Sequence, residues 1–227
     1  MTLPFTEEQF LAVFATYNSA IWPAQLVAYA FGLVAVAALW SARPQASRLI
    51  LAVLAVMWAW NGIGYHFASF STINPAAKLF AGFFVLQALL LLCSAAAARA
   101  PSIRIGRDLR CWAGWFTILY AALIYPLLGL WAGHGLMAGP MFGVAPCPTT
   151  LFTIGLLLLA RGRWVVWLSI IPLLWSGVGF AAAVQLGMLE DLALSAAGLV
   201  LLIALVIDAI RTRRGYISPR DIPRPST

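Results

Sequence analysis

The sequence predicts an all-α membrane protein, a bundle of seven transmembrane helices with its N-terminus outside and its C-terminus in the cytoplasm. Three observations carry that prediction. Of the 227 residues, 63% are hydrophobic and only 9% are charged. Soluble domains carry about 25% charged residues, so this chain is too poor in charge to cover a water-exposed surface. Several uncharged runs reach about 18 residues or more, the length that crosses a hydrocarbon core of about 30 Å. Finally, the basic residues fall in alternate gaps between those runs.

The apolar runs lie at roughly 20–41, 48–65, 77–98, 111–132, 145–160, 164–186 and 191–210. Arg43 and Arg48 fill one gap, Arg99, Arg104, Arg107 and Arg110 another, and Arg161 and Arg163 a third. With the five arginines of the tail, thirteen of the fourteen basic residues stand on one side. Lys78 alone stands on the other, with Glu7, Glu8, Glu190 and Asp191. The positive-inside rule makes the arginine side cytoplasmic. The net charge of +7 is therefore a topology signal, and nucleic acid is not an expected partner.

Residues 1–19 are predicted as a short interfacial amphipathic helix, residues 20–210 as the transmembrane domain, and 211–227 as a basic, Pro-rich cytoplasmic tail. The N-terminus TLPFTEEQF is acidic and lacks a basic n-region, so no signal peptide is expected. Thr6 with Gln9 fits a capping box, and Phe5 with Phe10 fits a hydrophobic staple. Phe10, Phe14 and Tyr17 then share one helical face. The plain reading of this helix is a membrane anchor, and the functional one is a lid over an outer-facing site. The tail GYISPRDIPRPST is too polar to pack and is expected to be disordered.

Three cysteines divide between the faces. Cys93 and Cys111 fall toward the cytoplasm and read as small packing residues. Cys147 falls in the outer half, inside GVAPCPTTLFTIG. Counting helical rise from the nearest arginine places Cys147, Asn61, Tyr125 and Gln87 roughly 18–22 Å above the cytoplasmic boundary, in one layer drawn from four spans. His66 and His134 lie higher on the same side. Pro146 and Pro148 remove backbone donors and obstruct a continuous helix, so the fifth helix is predicted to be broken near this pair or to start there as a half-helix. The preceding GHGLMAGPMFGVAP is apolar and Gly-rich, a packed-down loop rather than a solvated one. Irregular backbone at membrane depth is tolerated where it lines a cavity.

The segments FTEEQFLAVFATYNSAIWP, NGIGYHFASFSTINPAA and GPMFGVAPCPTTLFTIGLLL resemble an uncharacterised family of bacterial multi-pass membrane proteins. That resemblance spans nearly the whole chain and implies the bacterial inner membrane, without implying an activity. The pair Cys147-Pro148 also resembles the intramembrane Cys-Pro of heavy-metal pumping ATPases, whose catalytic machinery this chain lacks.

Two functions compete. One is binding or transport of a small solute or soft metal ion entering from the outer side, with Cys147, Asn61, Tyr125, Gln87, Thr149 and Thr150 as ligand-binding residues. Cys147, His66 and His134 would then suit copper or zinc as a transition-metal cofactor, and haem on the two histidines is a lesser alternative. The other is a membrane enzyme with Cys147 as nucleophile or redox thiol and a histidine base, handicapped because the only outer-half carboxylates near it are the loop residues Glu190 and Asp191. A purely structural role is the bland alternative, with Asn61 and Gln87 as interhelical glue. A retinal Schiff base in the last span is excluded because Lys78 is the only lysine. Zinc hydrolases of seven spans need more than two histidines, and no membrane-depth acid chain suggests a proton relay.

Overall fold

The computed structural model describes residues 4–133, 135 and 137–216. It is an all-helical bundle with one two-residue antiparallel strand pair. Thr6 caps α1 (Glu7–Ala20), accepting from Gln9 N–H while the Gln9 side chain accepts from Thr6 N–H. The Phe5 and Phe10 rings stack at 5.9 Å, completing the staple. A bend of 85° leads into α2 (Ala24–Ala38). At 15 residues α2 rises only about 22 Å, shorter than the run 20–41 suggested.

Then come α3 (Pro44–Trp60), prolonged by a π-helical stretch Asn61–Phe67, and α4 (Ala77–Ala96). After strand β1 (Ser102–Ile103), α5 (Leu109–Leu119) passes through a second π-helical stretch, Tyr120–Ile124, into α6 (Tyr125–Trp131). Next are α7 (Pro146–Leu158), strand β2 (Ala160–Arg161), α8 (Trp164–Leu186) and α9 (Leu192–Tyr216). Helix α9 runs past the predicted boundary at 210, and residues 217–227 of the predicted tail lie outside the described residues.

Five helical segments are long and apolar enough to cross a membrane, or six if the bent pair α1–α2 forms one span. Their outer surfaces carry large apolar side chains such as Leu33, Leu79, Leu174 and Leu199, each more than half exposed. Such a continuous apolar surface has no place on a soluble monomer and suits contact with lipid.

Helix α7 is the centre of the bundle, packed against α3, α5, α8 and α9. All its residues except Cys147 are buried. Pro146 and Pro148 do not interrupt it: they open it, in the first turn, where a missing N–H is no loss. The fifth helix is therefore a 13-residue half-helix, about 20 Å long, rather than a broken one. Gly114 and Gly155 let α5 and α7 touch backbone to backbone: a Cβ on Gly155 would stand 2.9 Å from the Gly114 carbonyl oxygen.

Prolines elsewhere free carbonyls that other helices satisfy. Pro126 cannot bond back to Ala122, whose carbonyl oxygen accepts from Tyr29 Oη at 2.9 Å. Pro172 lies inside α8, and the carbonyl four residues earlier, on Leu168, accepts from Gln87 Nε2 at 2.9 Å. Just before α7, the Val144 carbonyl accepts from Tyr17 Oη at 2.8 Å. Each is a polar contact that holds two elements together in an apolar interior. Cys111 is buried, as expected of a packing residue, whereas Cys93 is exposed on α4.

Candidate functional site

The loop before α7 folds down into the bundle, with Phe142, Val144 and Ala145 buried. Gly143 makes this possible, because its φ of 75° is left-handed and a Cβ there would meet Ala28 at 2.7 Å. Its carbonyl oxygen accepts from Asn61 Nδ2 at 3.2 Å. The same amide donates to Met57 O at 2.8 Å and to Thr149 Oγ1 at 3.2 Å. Asn61 thus clamps the loop and the start of α7 to α3.

The π-helical stretch after α3 explains how His66 faces inward. Its wider turn changes the angular spacing of side chains, and Asn61, Gly62, Tyr65 and His66 are all buried. His66 is wholly buried, yet neither ring nitrogen has a hydrogen-bond partner among the described residues. Its neighbours are rings: Phe84 at 4.6 Å, Trp175 at 5.1 Å and Tyr65 at 5.2 Å between centroids.

Cys147 lies in the first turn of α7, where its Sγ stands 3.5 Å from Asp191 Oδ2. The other carboxylate oxygen of Asp191 accepts from Tyr125 Oη at 2.7 Å. Asp191 comes from the short turn Leu189–Asp191 between α8 and α9, and it is 2% exposed. It ends that turn immediately before α9 and faces the start of α7, so two helix N-termini meet a group that carries negative charge when ionised.

His66, Cys147 and Asp191 line one cavity of about 140 Å³. Its walls are aromatic, with Phe80 and Trp175 on one side and Tyr65 on another. Phe5, Phe10 and Phe14 line it as well, so α1 presents its aromatic face to the site. This helix is fixed at two further points: Trp60 Nε1 donates to Tyr17 Oη at 2.7 Å, and Asn18 Nδ2 donates to Met137 O and Gly139 O at 2.8 and 2.9 Å.

The residues expected in the ligand site separate on these contacts. Cys147 and His66 line the cavity, and Tyr125 reaches it through Asp191. Asn61 and Thr149 hold the wall behind Cys147. Thr150 donates to Pro146 O at 2.9 Å, within α7. Gln87 serves the Leu168 carbonyl, away from the cavity. His134 lies outside the described residues. Among the described residues no group of three or more His, Cys, Asp or Glu gathers as metal ligands would. Asp191 is the residue that sequence reasoning left in a loop, although an acidic pair within the apolar stretch GMLEDLAL was a signal.

Fold and site together define a helical protein with membrane-length segments and a buried aromatic cavity beneath its first helix. The chain belongs to a family of unknown function (DUF6064), whose profile matches residues 7–215. No curated protein matches it, and neither does any solved structure.

Proposed function

We propose that this chain is a seven-pass membrane protein that binds a small solute in the cavity beside Cys147, and carries it inward from the side that α1 lines. The observation that bears most weight is the cavity itself. It combines room for a small molecule with a buried histidine whose two nitrogens have no partner among the described residues. Buried polar atoms are nearly always hydrogen-bonded, so such a side chain on a cavity wall is one that a ligand completes. In this reading α2 and α7 are short spans, and the arginine end faces the cytoplasm. Arg48, Arg104, Arg110 and Arg161 all bond to backbone at that end, which agrees with the positive-inside rule.

Binding is favoured over nucleophilic catalysis by the same geometry. A Cys–His couple needs the imidazole on the thiol, whereas here the thiol contacts a carboxylate and the imidazole bonds to nothing among the described residues.

The test is alkylation of Cys147 by iodoacetamide in purified protein carrying Cys93→Ser and Cys111→Ser. Native Cys147 should react, and Ala182→Phe, which places a ring in the cavity from α8, should slow the reaction at least tenfold. Both proteins should react alike once denatured. Equal native rates would mean that the cavity is not the route to Cys147, and the reading would fail.

A further inference from the structure

We infer that the ligand of this cavity is a small organic monocation, an alkylammonium of about six heavy atoms, held by Asp191 and faced by aromatic rings. The inference rests on the proposed binding site and names its substrate class.

Size comes first. The cavity measures about 140 Å³. An engineered protein cavity of about 150 Å³ binds benzene, so the space admits a group of about six heavy atoms.

Charge decides next. Asp191 is the one charged residue lining the cavity among the described residues, and no lysine or arginine faces it there. Its two oxygens accept one hydrogen bond each, from Tyr125 and Cys147. A carboxylate has about four lone-pair sites, so it can accept further donors from a ligand. An anionic ligand meets the opposite situation. A helix N-terminus ordinarily offers backbone N–H groups to anions, but Pro146 and Pro148 remove two of those in the first turn of α7. The prolines make this helix end a poor anion site while leaving its dipole beside Asp191.

The walls complete the match. Trp175 packs edge-on against Phe80 at 5.2 Å, and Tyr65 stacks with Phe14 at 4.7 Å and with Phe70 at 5.5 Å, so rings from α1, α4, α8 and the π-helical stretch line the space. Aromatic faces attract ammonium groups and shelter alkyl carbons equally well. His66 presents a lone pair on one ring nitrogen in either neutral tautomer, an acceptor for a second ammonium N–H. Tyr65 Oη, also buried and without a partner among the described residues, is another.

Protection of Cys147 from iodoacetamide reads this out, in the background lacking Cys93 and Cys111. The probes are n-butylammonium, 1-butanol and butyrate, which differ chiefly in the charge of the head. Butylammonium should give half-protection at a concentration at least tenfold below 1-butanol, and butyrate should not protect. Asp191→Asn should bring butylammonium and 1-butanol together, while Tyr125→Phe, which keeps the carboxylate, should preserve the ranking. Butanol or butyrate protecting as well as butylammonium overturns the inference, as does an undiminished preference in Asp191→Asn. The wild-type ranking decides by itself if the Asn chain does not fold. Absence of protection by all three probes, with Ala182→Phe still slowing alkylation, refutes the cation and leaves the cavity reading standing. Failure of Ala182→Phe to slow alkylation removes both.

Discussion

The two ends of α7 are each met by charge from other helices, and the comparison separates a part built to hold from a part built to bind. At its C-terminal end Arg110 donates to the carbonyl oxygens of Leu157 and Ala160 at 3.2 and 3.1 Å and forms an ion pair with Asp208. Arg161 donates to Leu158 O at 3.2 Å, so guanidinium groups cap the last turn where the helix dipole is negative. At the N-terminal end Asp191 answers the positive pole, but its donors are one thiol and one phenol, and a cavity adjoins it. Hydrogen-bonding capacity at the arginine end is mostly used, Arg110 Nε being without a partner among the described residues, whereas at the other end it is left open beside a cavity. Open capacity in a buried site costs stability, and proteins retain it where a ligand must bind.

The sharpest way to break this comparison is to remove one charge from each end. Arg110 is 11% exposed and its partner Asp208 45%. Arg110→Leu strips donors from two helix-terminal carbonyls and leaves Asp208 unpaired by it, an expected cost of about 3 kcal/mol, the lower part of the range for broken buried pairs because Asp208 is open to solvent. Asp191→Asn keeps an acceptor for Tyr125 and should cost about 1 kcal/mol or less. Reversible unfolding in mixed micelles measures both. An Asn variant as unstable as Arg110→Leu would make Asp191 a structural keystone and erase the distinction between the ends.

A second contrast concerns buried polar groups that do find partners. Gln87 and His66 lie on neighbouring spans and both are wholly buried. Gln87 Nε2 satisfies a carbonyl that Pro172 freed, although its Oε1 has no partner among the described residues, while neither His66 nitrogen has one there. Gln87→Leu should therefore cost about 1.5 kcal/mol, the penalty for an orphaned buried acceptor. In a Pro172→Ala background the helix bond to Leu168 is restored, and the same substitution should cost about 0.5 kcal/mol, a coupling of about 1 kcal/mol. Equal costs in the two backgrounds would show that Gln87 does not act through that carbonyl.

Much of this was legible in the sequence, and the unreadable part has a definite cause. Long apolar runs marked the helices α3, α4, α5–α6, α8 and α9, which are long and apolar enough to cross a membrane. Constant helical rise let Cys147, Asn61, Tyr125 and His66 be singled out by distance along their helices from the arginines. Azimuth was not. Gln87 shares the depth of Cys147 but faces α8, and the direction of His66 depends on a π-helical stretch that changes the angular spacing. The length of α2 fell short because hydropathy counts apolar residues rather than helical ones. Asp191 escaped because nothing in a loop's composition shows that the turn folds inward to meet Cys147. The capping box and staple of α1 were visible in full, yet only packing shows that its aromatic face lines a cavity.

The smallest expected effect refines the arginine end. Asp108 precedes α5 and accepts from Cys111 N–H at 2.8 Å, while Arg161 donates to its other oxygen at 2.9 Å. Hydrogen bonding by Cys111, through its side chain and then its backbone, holds the Asp108 carboxyl below the ordinary carboxylate range, and the Arg161 and Arg110 guanidinium groups add to this. A carboxyl depressed on folding contributes stability that is present above its unfolded value of about 4 and lost as pH falls through the folded one. Asp108→Ala removes the cap and should cost about 1 kcal/mol at pH 7. Asp108→Asn retains a capping oxygen and loses only the charge, so it should cost about 0.5 kcal/mol or less, the pair with Arg161 being exposed to solvent. The gap between wild type and Asn should close as pH is lowered below about 4, because protonation makes the two side chains equivalent in charge. A gap that persists unchanged at low pH would mean that the carboxylate's charge contributes nothing here, and that hydrogen bonds alone fill the arginine end of α7.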